Sequence, residues 1–229
     1  MIRNLTVPGF HDTKLVGLSR VNVVVGDNGS GKTALLGAIA SKRRIASAGT
    51  RLLSRDSGGF EVAGAFSAVE RAGNARVFAD EMKGLFPAVE SVALQNTENG
   101  PRLCARLSGE KTYRPLRRHS QGMEWLALIL LSISASPLVL IDEIETSVHH
   151  SRFLPMWQSV RFFASRFRSQ VFATTHSLEC LNAAAEWISY HPRDFTLIRT
   201  TRLDANCVAR ILPGEDAGHL IRSRLEVRG

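Results

Sequence analysis

Residues 21–33 read Val21-Asn22-Val23-Val24-Val25-Gly26-Asp27-Asn28-Gly29-Ser30-Gly31-Lys32-Thr33. The first five residues are mostly β-branched and stop at a glycine, which is typical of a buried strand. Thr33 to Ala40 is rich in alanine and leucine and predicts a helix. The pattern GxxxxGK[ST] lies between the two, and a strand before it and a helix after it are the context that a phosphate-binding loop requires. A glycine-rich turn that matches by chance is the alternative, and the flanking elements disfavour it.

The residue types in this loop suit the binding of a nucleoside triphosphate. Glycines let the backbone fold tightly, so that consecutive N–H groups point at phosphate oxygens, and the start of the helix adds the positive end of its dipole. Lys32 is expected to reach the β- and γ-phosphates, and the Thr33 hydroxyl is expected to bind Mg²⁺. The predicted nucleotide-binding residues of the loop are Gly26, Asp27, Asn28, Gly29, Ser30, Gly31, Lys32 and Thr33.

Two adjacent carboxylates, Asp142 and Glu143, end the apolar strand predicted at 138–141. Neighbouring side chains of a strand point to opposite sides, so the two acids cannot share one role. Asp142 is the predicted Mg²⁺ partner of Thr33, and Glu143 is the predicted general base that orients the attacking water. An acidic pair after a strand is often only a solvated strand end. The phosphate loop upstream favours the functional interpretation, because an α/β sheet brings the ends of its strands to one edge.

His176 follows a second apolar strand, predicted at 170–175. Ligands of open α/β sheets bind outside the carboxyl ends of the strands, so His176 is predicted to contact the γ-phosphate or to hold the attacking water. The alternative is a histidine that caps a helix or packs in the core.

The remaining pattern alternates strands with helices, which predicts an α/β fold with a largely parallel sheet covered on both faces. A hairpin is predicted around Asn96 to Pro101, and residues from about 41 to 119 are otherwise less regular and rich in glycine. The other predicted elements are helices at 62–71, 123–133, 151–167 and 178–187 and a strand pair at 196–200 and 208–212.

The composition fits a globular protein. The 229 residues suit one large domain or a core with a modest insertion, and 44% of them are hydrophobic. No run approaches the roughly 20 apolar residues of a membrane helix, and the first residues do not resemble a signal peptide, so a cytoplasmic location without membrane contact is expected. The three cysteines are scattered, which argues against a disulfide framework.

The net charge of +8 favours polyanionic partners such as DNA, RNA or nucleotides. A solvated basic surface explains the same charge equally well. The basic clusters lie at Lys42-Arg43-Arg44, at Arg114, Arg117 and Arg118, and at Arg161, Arg166 and Arg168.

A second candidate phosphate-binding segment, His119-Ser120-Gln121-Gly122-Met123-Glu124, precedes the long apolar helix. A serine hydroxyl and glycine N–H groups at a helix start suit phosphate. Such a helix start does not normally reach phosphates held by the first loop of its own chain, so it is expected to complete the site of a partner subunit. No NKxD base-recognition motif follows the acidic strand, which disfavours a small GTPase.

Four segments together resemble ABC-type AAA family ATPases related to the SMC, RecF and OLD proteins, a group that includes ATPase subunits of anti-phage systems. They are GDNGSGKTALL (26–36), SQGMEWLAL (120–128), LVLIDEIETSVHH (138–150) and VFATTHSLECL (171–181). The resemblance covers most of the chain and is weakest between about 41 and 119. It implies a P-loop ABC-type ATPase head with an N-terminal antiparallel β portion and a short helical insertion. The implied organisation is a single domain over 1–229, with a variable lobe at 41–119.

The resemblance also implies a role for each matching position. Lys32 and Thr33 match the P-loop lysine and the Mg²⁺-binding residue, and Asp142 matches the Walker B aspartate. Glu143 matches the catalytic glutamate and His176 the switch histidine. Ser120 and Gly122 match the signature that contacts the ATP of a partner subunit, and residues 146–149 match the loop along the dimer interface.

The sequence departs from the family pattern at two places. Gln121 stands where the signature has a second glycine, and Gln95 is either the Q-loop glutamine or simply a hairpin residue. The insertion is short and has no heptads, which excludes a coiled-coil arm.

The resemblance and the charge leave several functions open. The first is an ATPase that binds ATP and Mg²⁺, forms a homodimer with composite ATP sites, and switches an effector protein (a nuclease or toxin) or a nucleic acid. Phage defence is the setting that the resemblance suggests. The alternatives are a DNA repair or recombination ATPase, and a nucleotide-gated regulatory module with little hydrolysis.

Overall fold

A six-stranded sheet forms the centre of the protein, for which the computed structural model describes residues 1–7, 10, 14–42, 49–54, 56–57, 60–203 and 206–222. The strand order is β11-β10-β3-β9-β8-β4. β11 runs antiparallel to β10, and the other four pairings are parallel. These strands are β3 (Val21–Val25), β4 (Thr50–Leu53), β8 (Leu138–Ile141), β9 (Gln170–Thr174), β10 (Phe195–Leu203) and β11 (Asn206–Pro213).

Two smaller antiparallel sheets flank the central one. β1 (Asn4–Thr6) pairs with β2 (Lys14–Val16), and β5 (Val89–Thr97), β6 (Gly100–Leu107) and β7 (Arg114–Pro115) form a three-stranded sheet. The described helices are α1 (Lys32–Ala40), α2 (Phe60–Arg71), α3 (Ala75–Leu85), α4 (Leu116–His119), α5 (Gln121–Ala135), α6 (Phe153–Arg166), α7 (Leu178–Ile188) and α8 (Gly214–Arg222). Short 3₁₀ turns lie at His150–Arg152 and Pro192–Asp194.

Strands β3, β8 and β9 are buried along their whole length, as their nearly continuous apolar sequences predict for inner strands of a parallel sheet. Alternate side chains enter two different cores: Val23 and Val171 pack with helices α2, α3 and α5 to α8, whereas Val24 and Phe172 pack with α1 and the β1–β2 pair. Asn22, the polar residue in β3, accepts a hydrogen bond from the Ser19 N–H and donates to the Ser19 and Val171 carbonyls. The amide of Asn22 is therefore hydrogen-bonded although it is buried.

The sequence-based fold prediction is confirmed: the structure is α/β, with a mostly parallel sheet and an antiparallel β portion near the N-terminus. Most predicted elements agree with the structure to within two residues. The region from 41 to 119 is more regular than its glycines suggested, because Gly73 and Gly109, both at positive φ, lie in turns between elements. Helices α3, α4 and α8 and strands β4 and β7 were not predicted, and β1 and β2 were expected only as the N-terminal antiparallel portion that the resemblance implies.

Two further points concern the sequence-based expectations. Arg43 and Arg44 of the first basic cluster lie outside the described residues. Within the part of the chain that the structure describes, no helix has both the length and the apolar character needed to cross a bilayer.

Candidate functional site

The phosphate loop connects β3 to α1 and is folded tightly on itself. Gly26, Gly29 and Gly31 have φ values of 150°, 79° and 93°, which L side chains rarely adopt. The loop also packs against β10. A Cβ on Gly26 would lie 2.3 Å from the Thr200 carbonyl oxygen, and the hydroxyls of Ser30 and Thr200 are hydrogen-bonded at 2.8 Å. The three glycines are therefore required by the backbone conformation of the turn. Gly26 is required in addition by the close approach of Thr200 in β10.

Lys32 is the first residue of α1 and its side chain lies across the loop. Its Nζ donates to the Gly26 carbonyl at 2.7 Å and to the Asp27 carbonyl at 2.9 Å. Burial lowers the pKa of Lys32, and the carboxylates of Asp27 and Asp142 oppose this shift. A phosphate bound here would raise the pKa of Lys32, as those carboxylates do, because a nearby negative charge stabilises the charged ammonium.

Asp142 and Thr33 meet at the carboxyl end of β8. The Thr33 hydroxyl donates to Asp142 Oδ2 at 2.9 Å. The other carboxylate oxygen accepts from the Thr174 hydroxyl at 2.6 Å, and Thr174 Oγ1 accepts the Glu143 N–H at 2.7 Å. Thr174, at the end of the neighbouring strand β9, therefore fixes the orientation of Asp142 and the backbone of Glu143.

The oxygens of Thr33 and Asp142 fit a magnesium ion. Mg²⁺ prefers octahedral oxygen coordination at about 2.0–2.1 Å, which puts ligands at adjacent corners about 2.9 Å apart. Thr33 Oγ1 and Asp142 Oδ2 are 2.9 Å apart. A hydroxyl and a carboxylate supply oxygen ligands of the kind that Mg²⁺ prefers, so Thr33 and Asp142 are the residues that would hold the ion.

Glu143 and His176 lie beside this pair. Glu143 has a φ of 54°, uncommon for a residue with a side chain, and its side chain is 31% exposed. His176 Nδ1 lies 3.7 Å from Glu143 Oε1 and 3.1 Å from Glu145 Oε1. Together these groups form a cleft of about 250 Å³, lined by Asn28, Gly29, Gly31, Lys32, Thr33, Ala34, Asp142, Glu143 and His176.

Ser120 and Gly122 line a different cavity at the start of α5. Ser120 is the N-cap of this helix, and its hydroxyl accepts the Met123 N–H at 3.4 Å. The cavity, of about 360 Å³, is lined by Phe86, Ser120, Gly122, Ser147, Val148, His149, Ser151 and Arg152. Its lining shares no residue with the lining of the phosphate-loop cleft, so the two cavities are separate.

Gly122 is packed against the segment that follows the acidic strand end. A Cβ on Gly122 would lie 2.3 Å from the Ser147 carbonyl oxygen, and Ser147 Oγ donates to Gln121 Oε1 at 3.4 Å. Gln121, which replaces the second signature glycine, therefore contacts the same segment through its side chain. The start of α5 and residues 143–148 form one packed unit.

Replacing Gly122 by alanine is expected to lower the free energy of unfolding by about 1–3 kcal/mol, because a backbone carbonyl occupies the position of the new methyl group. Urea denaturation measures this change. Gly64→Ala is the matched control, since Gly64 lies in α2 with open space at its Cβ position, and this variant should be stabilised by about 0.5–1 kcal/mol. Wild-type stability of the Gly122 variant would contradict the close packing described here.

Comparisons with known proteins identify the fold that holds these residues. The family model of an AAA domain, described as a putative AbiEii toxin of a type IV toxin–antitoxin system, matches residues 106–182, which contain the start of α5, the acidic strand end and His176. The SMC head domain from Thermotoga maritima is 17% identical with a TM-score of 0.53, covering 93% of this chain and 99% of that chain. The chain has the ABC-type ATPase head fold of SMC proteins.

Two further structures extend the comparison of this head fold. An SMC head bound to the C-terminal winged-helix domain of ScpA is 12% identical with a TM-score of 0.58, covering 93% of this chain and 98% of that chain. A chain of the archaeal ribosome-bound complex of Pelota and ABCE1 is 14% identical with a TM-score of 0.54. The match covers 90% of this chain and 32% of that longer chain. No curated protein matches the sequence significantly.

Three residues of the head contribute to the site although the sequence analysis gave them no role. Thr174 and Glu145 contact predicted site residues, and Thr200 packs against the phosphate loop. The polar side chain of Thr174 at the end of an apolar strand could have indicated its role. Glu145 could have been found because it belongs to the acidic stretch at 142–145. Gln95 is an exposed residue of β5 paired opposite Arg102, which is the hairpin position rather than a position in the cleft.

Proposed function

We propose that this protein binds and hydrolyses ATP, within a single ATPase domain whose variable lobe is formed by residues 41–119. One observation carries the proposal: Lys32, Thr33, Asp142, Glu143 and His176 line or border the same cleft, although they come from three separate segments of the chain. An isolated glycine-rich turn or a solvated acidic strand end would not bring these groups together. The ABC-type head fold supports the proposal independently.

Each side chain has a role that its position supports. The loop N–H groups and Lys32 bind the β- and γ-phosphates, while Thr33 and Asp142 hold Mg²⁺, which when bound supplies positive charge beside the phosphate oxygens. Glu143 accepts a proton from water as the water oxygen bonds to the γ-phosphorus. The bond from the γ-phosphorus to the bridging oxygen breaks, which yields ADP and inorganic phosphate. His176 contacts the γ-phosphate or the attacking water.

Two copies of the chain complete the sites as a homodimer. The cavity at the start of α5 is separate from the phosphate-loop cleft, so Ser120 and Gly122 act on ATP held by the partner. A helix start with an N-cap serine offers N–H groups and a positive dipole end to that phosphate. Residues 143–148 touch both cavities through Glu143 and Ser147, which connects hydrolysis in one chain to contact with the other.

The dimer then acts on an effector protein or a nucleic acid. The description of the matching family as a toxin of a toxin–antitoxin system supports an effector of that kind and a setting in phage defence. Nucleic-acid binding is supported by Arg114, Arg117 and Arg118, which are exposed next to Ser120. Arg114 lies 3.8 Å from the carboxylate of Glu110, and Arg161 is half-buried and paired with Asp194 at 2.9 Å.

Phosphate release by the purified protein tests the proposal. We expect turnover with Mg²⁺ and ATP, loss of turnover on chelation of Mg²⁺, and an ATP-dependent doubling of mass in light scattering. ATP binding and a doubled mass without phosphate release, with or without DNA, would instead indicate a nucleotide-gated regulatory module. Absence of ATP binding in calorimetry would overturn both. DNA affinity that does not fall with added salt would exclude phosphate contacts by the exposed arginines.

A further inference from the structure

Glu145 is a buried carboxylate directed at His176 and Ser177, which follow β9. Its side chain is 8% exposed. Its Oε1 accepts the backbone N–H of His176 at 2.9 Å and that of Ser177 at 3.2 Å, and the same oxygen lies 3.1 Å from His176 Nδ1. One oxygen thus contacts both the backbone and the ring of the residue expected to face the γ-phosphate.

The distances decide which carboxylate orients the imidazole. Glu145 Oε1 is within hydrogen-bonding distance of His176 Nδ1, whereas Glu143 Oε1, at 3.7 Å, is not. A carboxylate accepts only, so a hydrogen bond between these two atoms requires a proton on Nδ1. The neutral ring then has its lone pair on Nε2. A hydrogen bond at one ring nitrogen determines the state of the other in this way.

The backbone around Glu145 is held in place on both sides. The Ile144 N–H donates to the Thr174 carbonyl at 3.1 Å, and the indole N–H of Trp125 donates to the Ile144 carbonyl at 2.9 Å. The Val148 N–H donates to the Glu145 carbonyl at 3.0 Å. These bonds tie the segment to β9 and to α5, so the carboxylate of Glu145 is positioned by the fold rather than by its own rotamer alone.

We propose that Glu145 is a positioning residue that holds His176 with Nδ1 protonated and the lone pair on Nε2. The effect of this contact on turnover rests on the proposed ATPase function. The contact between Glu145 and His176 itself does not depend on hydrolysis. Because the same segment packs against Gly122 through Ser147, a displacement of the start of α5 would move Glu145 and with it the imidazole. The arrangement links the surface expected to meet a second copy to the group expected to meet the γ-phosphate.

A purely structural role for Glu145 is the competing explanation. Its two backbone bonds lie at the start of α7, where a carboxylate stabilises a helix regardless of any imidazole. Ser177 already caps this helix by accepting the Cys180 N–H at 3.1 Å, and Glu179 accepts from the Ser177 hydroxyl at 3.0 Å. Glu179→Gln therefore provides the matched control: it replaces the carboxylate of the same helix start that accepts from the Ser177 hydroxyl.

Long-range ¹H–¹⁵N correlation spectra of the histidine rings test the proposal at about pH 8, where an unperturbed imidazole is neutral. The spectrum of His176→Gln identifies the His176 signals by their loss. We expect Nδ1 of His176 to be the protonated nitrogen in the wild type and in Glu179→Gln. In Glu145→Ala we expect a mixture of both tautomers, and in Glu145→Gln a smaller change, because the amide oxygen still accepts the two backbone bonds. If Glu145→Ala does not fold, Glu145→Gln and the wild type still decide the result.

Kinetics provide the second measurement. We expect Glu145→Ala to lower kcat by about 10–100-fold, as removal of a supporting hydrogen bond typically does, with a change in KM of less than about threefold. Glu145→Gln should recover part of this loss, and Glu179→Gln should retain wild-type turnover. Protonated Nε2 in the wild type, or an unchanged tautomer in Glu145→Ala, would overturn the proposal. If the spectra show the expected tautomers but the wild type releases no phosphate, the contact between Glu145 and His176 is supported and the ATPase function is refuted.

Discussion

Replacing Lys32 by alanine is expected to weaken ATP binding by at least about 100-fold, a loss of about 2.7 kcal/mol or more. The ammonium group is the cation of the phosphate loop, and charge-assisted hydrogen bonds to phosphate are stronger than neutral ones. In the structure its donors are directed at the Gly26 and Asp27 carbonyls, so it is already held over the loop. Isothermal calorimetry with ATP and Mg²⁺ measures the effect.

The control for this variant is Lys83→Ala, which removes the same charge from an exposed position in α3. Its affinity for ATP should equal that of the wild type. Thermal unfolding of both variants checks that the loop variant is folded. Wild-type affinity of Lys32→Ala would remove the role assigned to the loop, and the proposed function with it.

Replacing Glu143 by glutamine is expected to lower kcat by about 100- to 1,000-fold, within the range that a positioned general base contributes. The amide keeps the shape of the side chain but cannot take the proton of the attacking water. ATP affinity should be retained, because Lys32, Thr33 and Asp142 are unchanged. The variant should therefore accumulate as a dimer with ATP bound, seen as doubled mass in light scattering.

Glu61→Gln, at an exposed position in α2, is the control for this second variant and should release phosphate at the wild-type rate. A Glu143→Gln protein that stays monomeric at saturating ATP would contradict the composite dimer. A variant with full turnover would contradict the role of Glu143 as the base, and would direct attention to the neighbouring carboxylate of Glu145.

The parts of the fold that the sequence predicted are those with strong local signals. The β-branched run before Gly26, the apolar strand before Asp142 and the apolar helix after Ser120 each combine pattern, length and a defined end. Helix α3 was missed although Phe78, Met82 and Leu85 form a buried stripe at helical spacing. Gly73 and Gly84 suggested an irregular segment, but Gly73 lies before the helix and Gly84 lies in its last turn.

The parts of the site that the sequence did not predict depend on strand order. Thr174 contacts Asp142 across 32 positions of the chain, and Glu145 contacts His176 across 31. These contacts exist because β8 and β9 are neighbours in the sheet, which no local pattern specifies. The short strands β1, β2 and β4 have three or four residues each, too few for an alternation to be recognised.

The contact between the phosphate loop and β10 has a consequence for biosynthesis. Ser30 and its partner Thr200 are separated by 170 positions, and β3 is paired with β10 on one side. A ribosome that has translated the chain as far as His176 has made every side chain assigned to the chemistry, but not the strand with Thr200 that packs against the phosphate loop. The nascent polypeptide can therefore acquire its mature nucleotide pocket only after the strand that contains Thr200 has emerged from the exit tunnel.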